Sequence, residues 1–143
     1  MTAVLLSVKP TFALRLLSGD KTAEVRRRFP PLPRGTMVYL YASSPTRALI
    51  GVLRIVSVNT ASPDVLWPQF GACLDIAEEY FRQYLEEKET ATVIEMQVDE
   101  RWTHPVSLDA IRAGADLNPP QSYRYLNPEQ ERVLRKIARR TRS

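Results

Sequence analysis

Lys21, Glu24, Arg26 and Arg28 stand close together in the run Gly19-Asp20-Lys21-Thr22-Ala23-Glu24-Val25-Arg26-Arg27-Arg28. Ala23 and Val25 alternate with Glu24, Arg26 and Arg28, a period of two that reads as a strand with the carboxylate and both guanidinium groups on one face. Lys21 lies in the turn that feeds this strand. An amine, a carboxylate and guanidinium groups gathered at one corner can hold an anion. If the amine is desolvated enough to be partly neutral, it can also act as a base or a nucleophile, with a carboxylate moving the proton. The same spacing suits two quieter arrangements: a solvated strand face on which Glu24 pairs with Arg26 for little energy, or a structural ion pair between Lys21 and Glu24.

These side chains need elements to position them. Val4-Leu5-Leu6-Ser7-Val8 reads as a first strand. Pro10 suits the first position of a helix reaching Ser18, with Phe12, Leu16 and Leu17 as its buried stripe, and Gly19 supplies the left-handed residue that ends it. Lys9 falls where strand meets helix, facing a ligand or simply exposed. Three prolines between Phe29 and Gly35 make a stiff loop. Met37 to Ala42 reads as a strand that closes on Ser43 and Ser44, whose hydroxyls either bond a base edge or a phosphate, or cap the turn.

Residues 48–58 are almost continuously apolar, as in a strand buried on both faces, and Gly51 within them predicts a bulge or a close backbone approach. Residues 59–73 read as irregular, with a brief helix opened by Ser62-Pro63-Asp64 and with Trp67 and Phe70 as core. Asp75 to Glu87 reads as one helix, with Asp75 and Glu78 as a capping box. Ala77, Tyr80, Phe81, Tyr84 and Leu85 form its apolar stripe, and Glu78, Glu79, Glu86 and Glu87 its outer face. Thr90 to Trp102 is a strand ended by His104-Pro105, and His104 receives no role. Ser107 to Ala113 is a brief helix.

In Asn118-Pro119-Pro120-Gln121-Ser122-Tyr123-Arg124-Tyr125-Leu126, the Gln121 amide can read a base edge and the Tyr123 ring can stack on one. Alternatively, the tyrosines pin a proline-rich segment across the sheet. Asn127, Pro128 and Gln130 open a last helix. Its apolar stripe is Val133, Leu134, Ile137 and Ala138, and its remainder is basic: Arg132, Arg135, Lys136, Arg139, Arg140 and Arg142.

The chain has 143 residues, enough for one domain with its own core. A single cysteine, Cys73, excludes an internal disulfide and fits the reducing cytoplasm. With only one histidine beside it, a zinc site is not expected, and neither a metal nor a cofactor enters this reading. The apolar start at Ala3 to Val8 is too short for a signal peptide or a membrane span. The net charge of +4 is unevenly spread. Residues 1–54 carry nine basic and two acidic residues, residues 55–127 five and twelve, and residues 128–143 six and two. Either the basic segments gather on one face that meets an anionic partner, or they pack beside the acidic segment and neutralise it.

Gly19, Lys21, Glu24 and Arg26 spell G-x-K-x-x-E-x-R. Together with Ser7-Val8-Lys9-Pro10, Tyr41-Ala42-Ser43-Ser44-Pro45 and the stretch from Pro119 to Leu126, in that order, the chain resembles the ASCH family of the PUA-like superfamily, in its prokaryotic single-domain branch. The resemblance covers residues 4–126. It implies an α+β fold, a small mixed PUA-like β-barrel of about five to six strands with flanking helices. Residues 1–126 would form that domain, and residues 127–143 a basic C-terminal helix and tail packed on it or extending from it.

The resemblance also implies a cleft that binds RNA or a nucleotide, in the service of transcription or translation control. Lys9, Arg26 and Arg28 would neutralise phosphate, Ser43 and Ser44 would orient the ligand, and Gln121 and Tyr123 would read or stack a base. The alternative is a hydrolase using Lys21 and Glu24 as catalytic residues. One branch of the family removes the acetyl group from acetylated cytidine, and a ribonuclease activity is attributed to another member. The amidohydrolase branch carries threonine where this chain has Glu24, and its later glutamate falls near Glu78 or Glu79.

Overall fold

A computed structural model describes residues 1–140, with side chains to residue 138, so the side chains of Arg139 and Arg140, and Arg142 as a whole, lie outside the described residues. The elements run β1 (Val4–Val8), α1 (Pro10–Ser18), β2 (Ala23–Arg26), β3 (Met37–Ala42), β4 (Ala48–Ala61), α2 (Pro63–Leu74), α3 (Glu78–Tyr84), β5 (Ala91–Ser107), α4 (Leu108–Ala115), β6 (Tyr123–Tyr125) and α5 (Pro128–Arg140). The strands form a mixed sheet ordered β2-β5-β4-β3-β1-β6, curled into a half-barrel, as the α+β reading expects. Among the described residues only β1 and β3 pair in parallel, joined through α1 and β2.

Alternation along the strands divides the core into three. Val4, Leu6, Val8, Leu40, Ile55, Ile94 and Met96 face α1 inside the curl. Leu5, Tyr39, Val52 and Trp102 point to the other side, beneath α4 and α5, where Leu134 is buried. Ala23, Val25 and Val93 pack against Leu66, Phe70 and Leu74 of α2 and Phe81 of α3. Glu24 pairs in register with Ile94 of the first cluster, so the alternation that buries Ala23 and Val25 under α2 sends Glu24 towards the inside of the curl.

The curl has local causes. Register shifts interrupt the β3–β4 and β4–β5 ladders, two of them beside Gly51. A Cβ at Gly51 would overlap the Glu100 carbonyl oxygen and the Leu17 side chain, so the expected close approach is present. Gly19 ends α1 with φ 89°, and its amide bonds the Arg15 carbonyl. The capping box of α5 also forms, Gln130 N donating to Asn127 Oδ1 and Asn127 N to Gln130 Oε1.

Three expectations are corrected. Residues 63–74 form a regular helix, because Leu66, Phe70 and Leu74 recur at helical spacing and bury together despite Pro68. Asp75 opens no helix; it closes α2 in the left-handed region at φ 52°, and α3 begins only at Glu78, with no side-chain cap at Ala77. The strand expected to stop at Trp102 continues through His104-Pro105 to Ser107, because its far end pairs with Ala48 and Leu49 of β4. No helix among the described residues is long and apolar enough to cross a membrane.

Gly51→Ala is expected to destabilise the protein by about 1–3 kcal/mol, since the backbone oxygen of Glu100 cannot yield as a side chain would. Urea unfolding of the variant against wild type measures it.

Candidate functional site

The half-barrel leaves a seam between edge strand β2 and the β1–β6 side, and a cavity of about 450 Å³ opens there. Of the side chains expected at a site, Lys9, Lys21, Glu24, Arg26, Ser43 and Gln121 all line it. They come from the β1–α1 junction, the α1–β2 turn, β2, the end of β3 and the segment before β6. Chain order separates them by more than a hundred residues, and the curled sheet brings them together.

Glu24 is the hub. Its side chain is buried, with the residue only 6% exposed. Oε1 lies 3.7 Å from Lys21 Nζ, and Oε2 accepts from Arg26 at 3.2 Å. The same Arg26 nitrogen donates to the Ser7 backbone carbonyl at 2.7 Å, and its second terminal nitrogen reaches Ser122 Oγ at 3.4 Å. Arg26 therefore ties β2 across the open seam to β1. Ser7 fastens the third wall: its amide bonds the Ser122 carbonyl and its hydroxyl donates to the Pro120 carbonyl. That double attachment holds Gln121 at the cavity.

Lys21 is 1% exposed. Its amine donates to the Leu74 carbonyl at the end of α2 and lies 5.0 Å from the centre of the Phe12 ring of α1. Three elements thus converge on one ammonium, and the carbonyl end of a helix is a place that favours a cation. Burial nevertheless pushes the Lys21 pKa below the usual lysine value; Glu24 and Asp75 oppose that shift without cancelling it. The outcome is an amine closer to neutrality than a surface lysine, within the cavity wall.

The cations differ in what balances them. Lys21 and Arg26 share Glu24. Elsewhere Arg15 meets Asp75, Arg54 meets Asp99 and Arg135 meets Glu100, so part of the acidic middle segment does neutralise the basic flanks. Lys9 and Arg27 line the cavity, and among the described residues no carboxylate pairs with either. Arg27 is exposed and lies across the Tyr84 ring, 4.4 Å from its centre, with its Nε donating to the Tyr84 carbonyl at 3.1 Å.

Three expected residues stand apart from the cavity wall. Arg28 is exposed beyond the end of β2, because the strand stops at Arg26 and the alternation stops with it. Ser44 sits in the exposed turn after β3. Tyr123 packs edge-on against Phe29 at 5.1 Å and against the first core cluster, the pinning arrangement weighed above. Glu78 and Glu79 are exposed on the outside of α3, Glu78 pairing with Arg82, so neither supplies a carboxylate to the cavity.

Sequence reasoning missed Ser7, Arg27, Tyr80 and Tyr84. The tyrosines follow the helical spacing of a buried stripe, and only the placement of α3 beside the seam turns them into a wall. No group of three or more His, Cys, Asp or Glu among the described residues is arranged to hold a metal ion.

Residues 1–114 match the family described as a domain of unknown function, DUF365. The chain is 31% identical over 130 residues to a Zymomonas mobilis protein named ASCH domain-containing ribonuclease, a match spanning 90% of this chain and 87% of that one. The crystal structure of ASCH from Zymomonas mobilis is similar at a TM-score of 0.87 and 30% identity, covering 94% of each chain. A hypothetical protein from Leishmania major has a TM-score of 0.69 at 12% identity, covering 100% of this chain and 98% of that one, a likeness of fold alone.

Two outcomes follow from the hub. Glu24→Gln leaves the buried Lys21 and the half-buried Arg26 around a neutral amide and is expected to cost about 3 kcal/mol in urea unfolding. Lys21 has a depressed folded-state pKa, so between that value and the unfolded value of about 10.4 the unfolded chain holds a proton that the folded chain has released. Stability of wild type relative to Lys21→Met should therefore rise as pH increases through that window. Urea midpoints of both proteins, measured from neutral to about pH 10, give the difference.

Proposed function

Since the chain belongs to the ASCH domain family, and by its first 114 residues to DUF365, we propose that it is an RNA-binding, RNA-processing domain whose ligand enters the seam of the half-barrel. The observation that carries this reading is the pair of unbalanced cations. Lys9 and Arg27 line a cavity whose other two cations share the Glu24 carboxylate, so an entering phosphate meets two cations that give up no carboxylate. The Gln121 amide and the Ser43 hydroxyl supply directional donors and acceptors beside them. Arg26 serves chiefly as a strut, because its nitrogens already bond Glu24, Ser7 and Ser122. Recognition of RNA in this way would suit a part in transcription or translation control.

Lys21 favours a second reading, cleavage of the bound strand, in line with the relative named a ribonuclease. An amine desolvated towards neutrality in a cavity wall is suited to accept a proton. In this reading it takes the proton of a ribose 2′-hydroxyl, whose oxygen attacks the neighbouring phosphorus, and the departing 5′-oxygen takes a proton from water. Glu24 holds the amine in place rather than acting on the ligand, since Lys21 and Arg26 occupy both its oxygens. Removal of an acetyl group from a modified nucleoside is the weaker form of this reading, as no second carboxylate of α3 reaches the cavity.

Fluorescence anisotropy with a labelled RNA strand across a salt series tests the binding. Lys9→Ala and Arg27→Ala should each lower affinity several-fold and reduce the salt slope by about 0.7, while Arg28→Ala should leave both nearly unchanged. Wild-type protein that ignores RNA at low salt would sink the proposal. For cleavage, Lys21→Ala should slow product formation by at least about a hundredfold while holding affinity within a few-fold. The wild-type rate should climb with pH as the amine deprotonates, with its half-rise below the ordinary lysine value of about 10.4.

A further inference from the structure

Lys21 meets α2 at the last residue of that helix. The Leu74 carbonyl accepts from the amine, and one residue earlier the Cys73 carbonyl accepts from the Thr22 amide at 2.9 Å. Two consecutive carbonyls therefore fasten the end of α2 to the α1–β2 turn. Were α2 to continue, the Leu74 oxygen would accept from the backbone amide four residues on and would be closed to the lysine. Asp75 ends the helix at that point. Its φ of 52° and ψ of 45° lie in the left-handed region, which few residues other than glycine adopt but Asp and Asn tolerate. The next residue, Ile76, lines the cavity, and α3 then brings Tyr80 and Tyr84 to it as an aromatic wall facing the ionic one of Lys9, Glu24 and Arg26.

We propose that Asp75 is the positioning residue of the Lys21 amine, and that it acts through its left-handed backbone rather than through its carboxylate. For its consequence in catalysis the inference rests on the reading of Lys21 as a proton acceptor. The backbone has a direct route to the amine, since the turn at Asp75 is what leaves the Leu74 oxygen free for it. The carboxylate is less engaged. Its side chain is 41% exposed and meets Arg15 Nε only at 3.7 Å, a contact of little energy. A second nitrogen of Arg15 reaches the Asp75 carbonyl at 3.4 Å, so the latch between α1 and this turn is partly to the backbone as well. The charged groups around the amine are Glu24 and Arg26 of β2, Arg15 of α1 and Asp75 itself. Burial lowers the proton affinity of the amine, Glu24 and Asp75 raise it, and Arg15 lowers it, so the two members of the Arg15–Asp75 pair pull against each other.

The chain has four lysines, and the other three are exposed. Full-length protein carrying lysine labelled with carbon-13 at Cε gives one NMR signal for each, and Lys21→Met identifies the one of interest. In wild type that signal should titrate below the other three. Asp75→Gly and Asp75→Asn keep the left-handed backbone without the charge, and should move the Lys21 midpoint by less than about half a pH unit. Asp75→Val disfavours that backbone most. It should carry Lys21 up to join the exposed lysines near about 10.4, because the Leu74 carbonyl is withdrawn and water reaches the amine. RNA cleavage at neutral pH should follow the same order, slowed at least about tenfold in Asp75→Val and held within about threefold in Asp75→Gly. Leu134→Ala, which removes a buried side chain on the opposite face of the sheet, should lower stability and leave Lys21 where it is. If Asp75→Val does not fold, Asp75→Ala replaces it. Release of Lys21 by Asp75→Gly or Asp75→Asn gives the role to the carboxylate and overturns the inference. An unmoved Lys21 in the Val or Ala variant overturns it too, as does equal displacement by Leu134→Ala. Wild type that cleaves no RNA removes the cleavage reading, and the lysine titrations still decide the inference.

Discussion

One buried carboxylate holds the open side of this half-barrel together. Glu24 is shared by an ammonium anchored to the end of α2 and by a guanidinium anchored to the backbone of β1. Buried ion pairs add little net stability, because desolvating the charges offsets most of their attraction, but losing one member leaves the others stranded and costs several kcal/mol. Their value lies in geometry. Lys21 and Arg26 each satisfy a backbone carbonyl as well as the carboxylate, so the positions of α2, β2 and β1 around the seam are mutually dependent. A closed barrel would need no such device, since its ladder hydrogen bonds would run all the way round.

The compensation around Glu24 is also what gives the remaining charges their meaning. A cavity whose cations were all paired would present little field to an anion. Here Lys21 and Arg26 share one carboxylate at the back of the seam and none pairs with Lys9 or Arg27, so the outward potential comes chiefly from those two of the four basic residues that line the wall. The desolvation that pushes Lys21 towards neutrality sharpens the contrast further. Anchoring Lys21 and perturbing it are consequences of the same burial, which is why a structural role and a proton-accepting role coexist in one side chain.

The second wall depends on how α2 and α3 are divided. Asp75 takes a left-handed backbone and breaks what would otherwise be a single long helix, and after the break α3 sets off in its own direction. Phe81 and Leu85 are then buried against the third core cluster while Tyr80 and Tyr84 turn towards the seam. A continuous helix from Pro63 would not allow that face to be chosen independently. The left-handed residue thus places an aromatic surface opposite an ionic one.

How much of this was legible beforehand differs by element. The β1–α1–β2 corner was readable because its signals are local: Pro10 and Gly19 delimit the helix, and period two in Ala23 to Arg26 sets which side chains share a face. The motif G-x-K-x-x-E-x-R and its companion stretches were enough for the family and the α+β barrel, and six of the nine expected site residues line the cavity. The other three lie outside its wall, where a local pattern was extended past its end, as at Arg28, or where a side chain had two neighbours to choose between, as at Tyr123.

Tertiary structure alone decided which cations are left unbalanced: the pairs Glu24 makes with Lys21 and Arg26 are local and legible from spacing, whereas the lack of a carboxylate beside Lys9 and Arg27 depends on which elements pack around them. It also decided that Tyr80 and Tyr84 line the cavity, Tyr84 while still packing on the third core cluster, since an amphipathic stripe records that a face is covered without recording by what. Local sequence sets the face on which a side chain stands, but its partner comes from an element that may be a hundred residues away, and only the packed chain brings that element into contact.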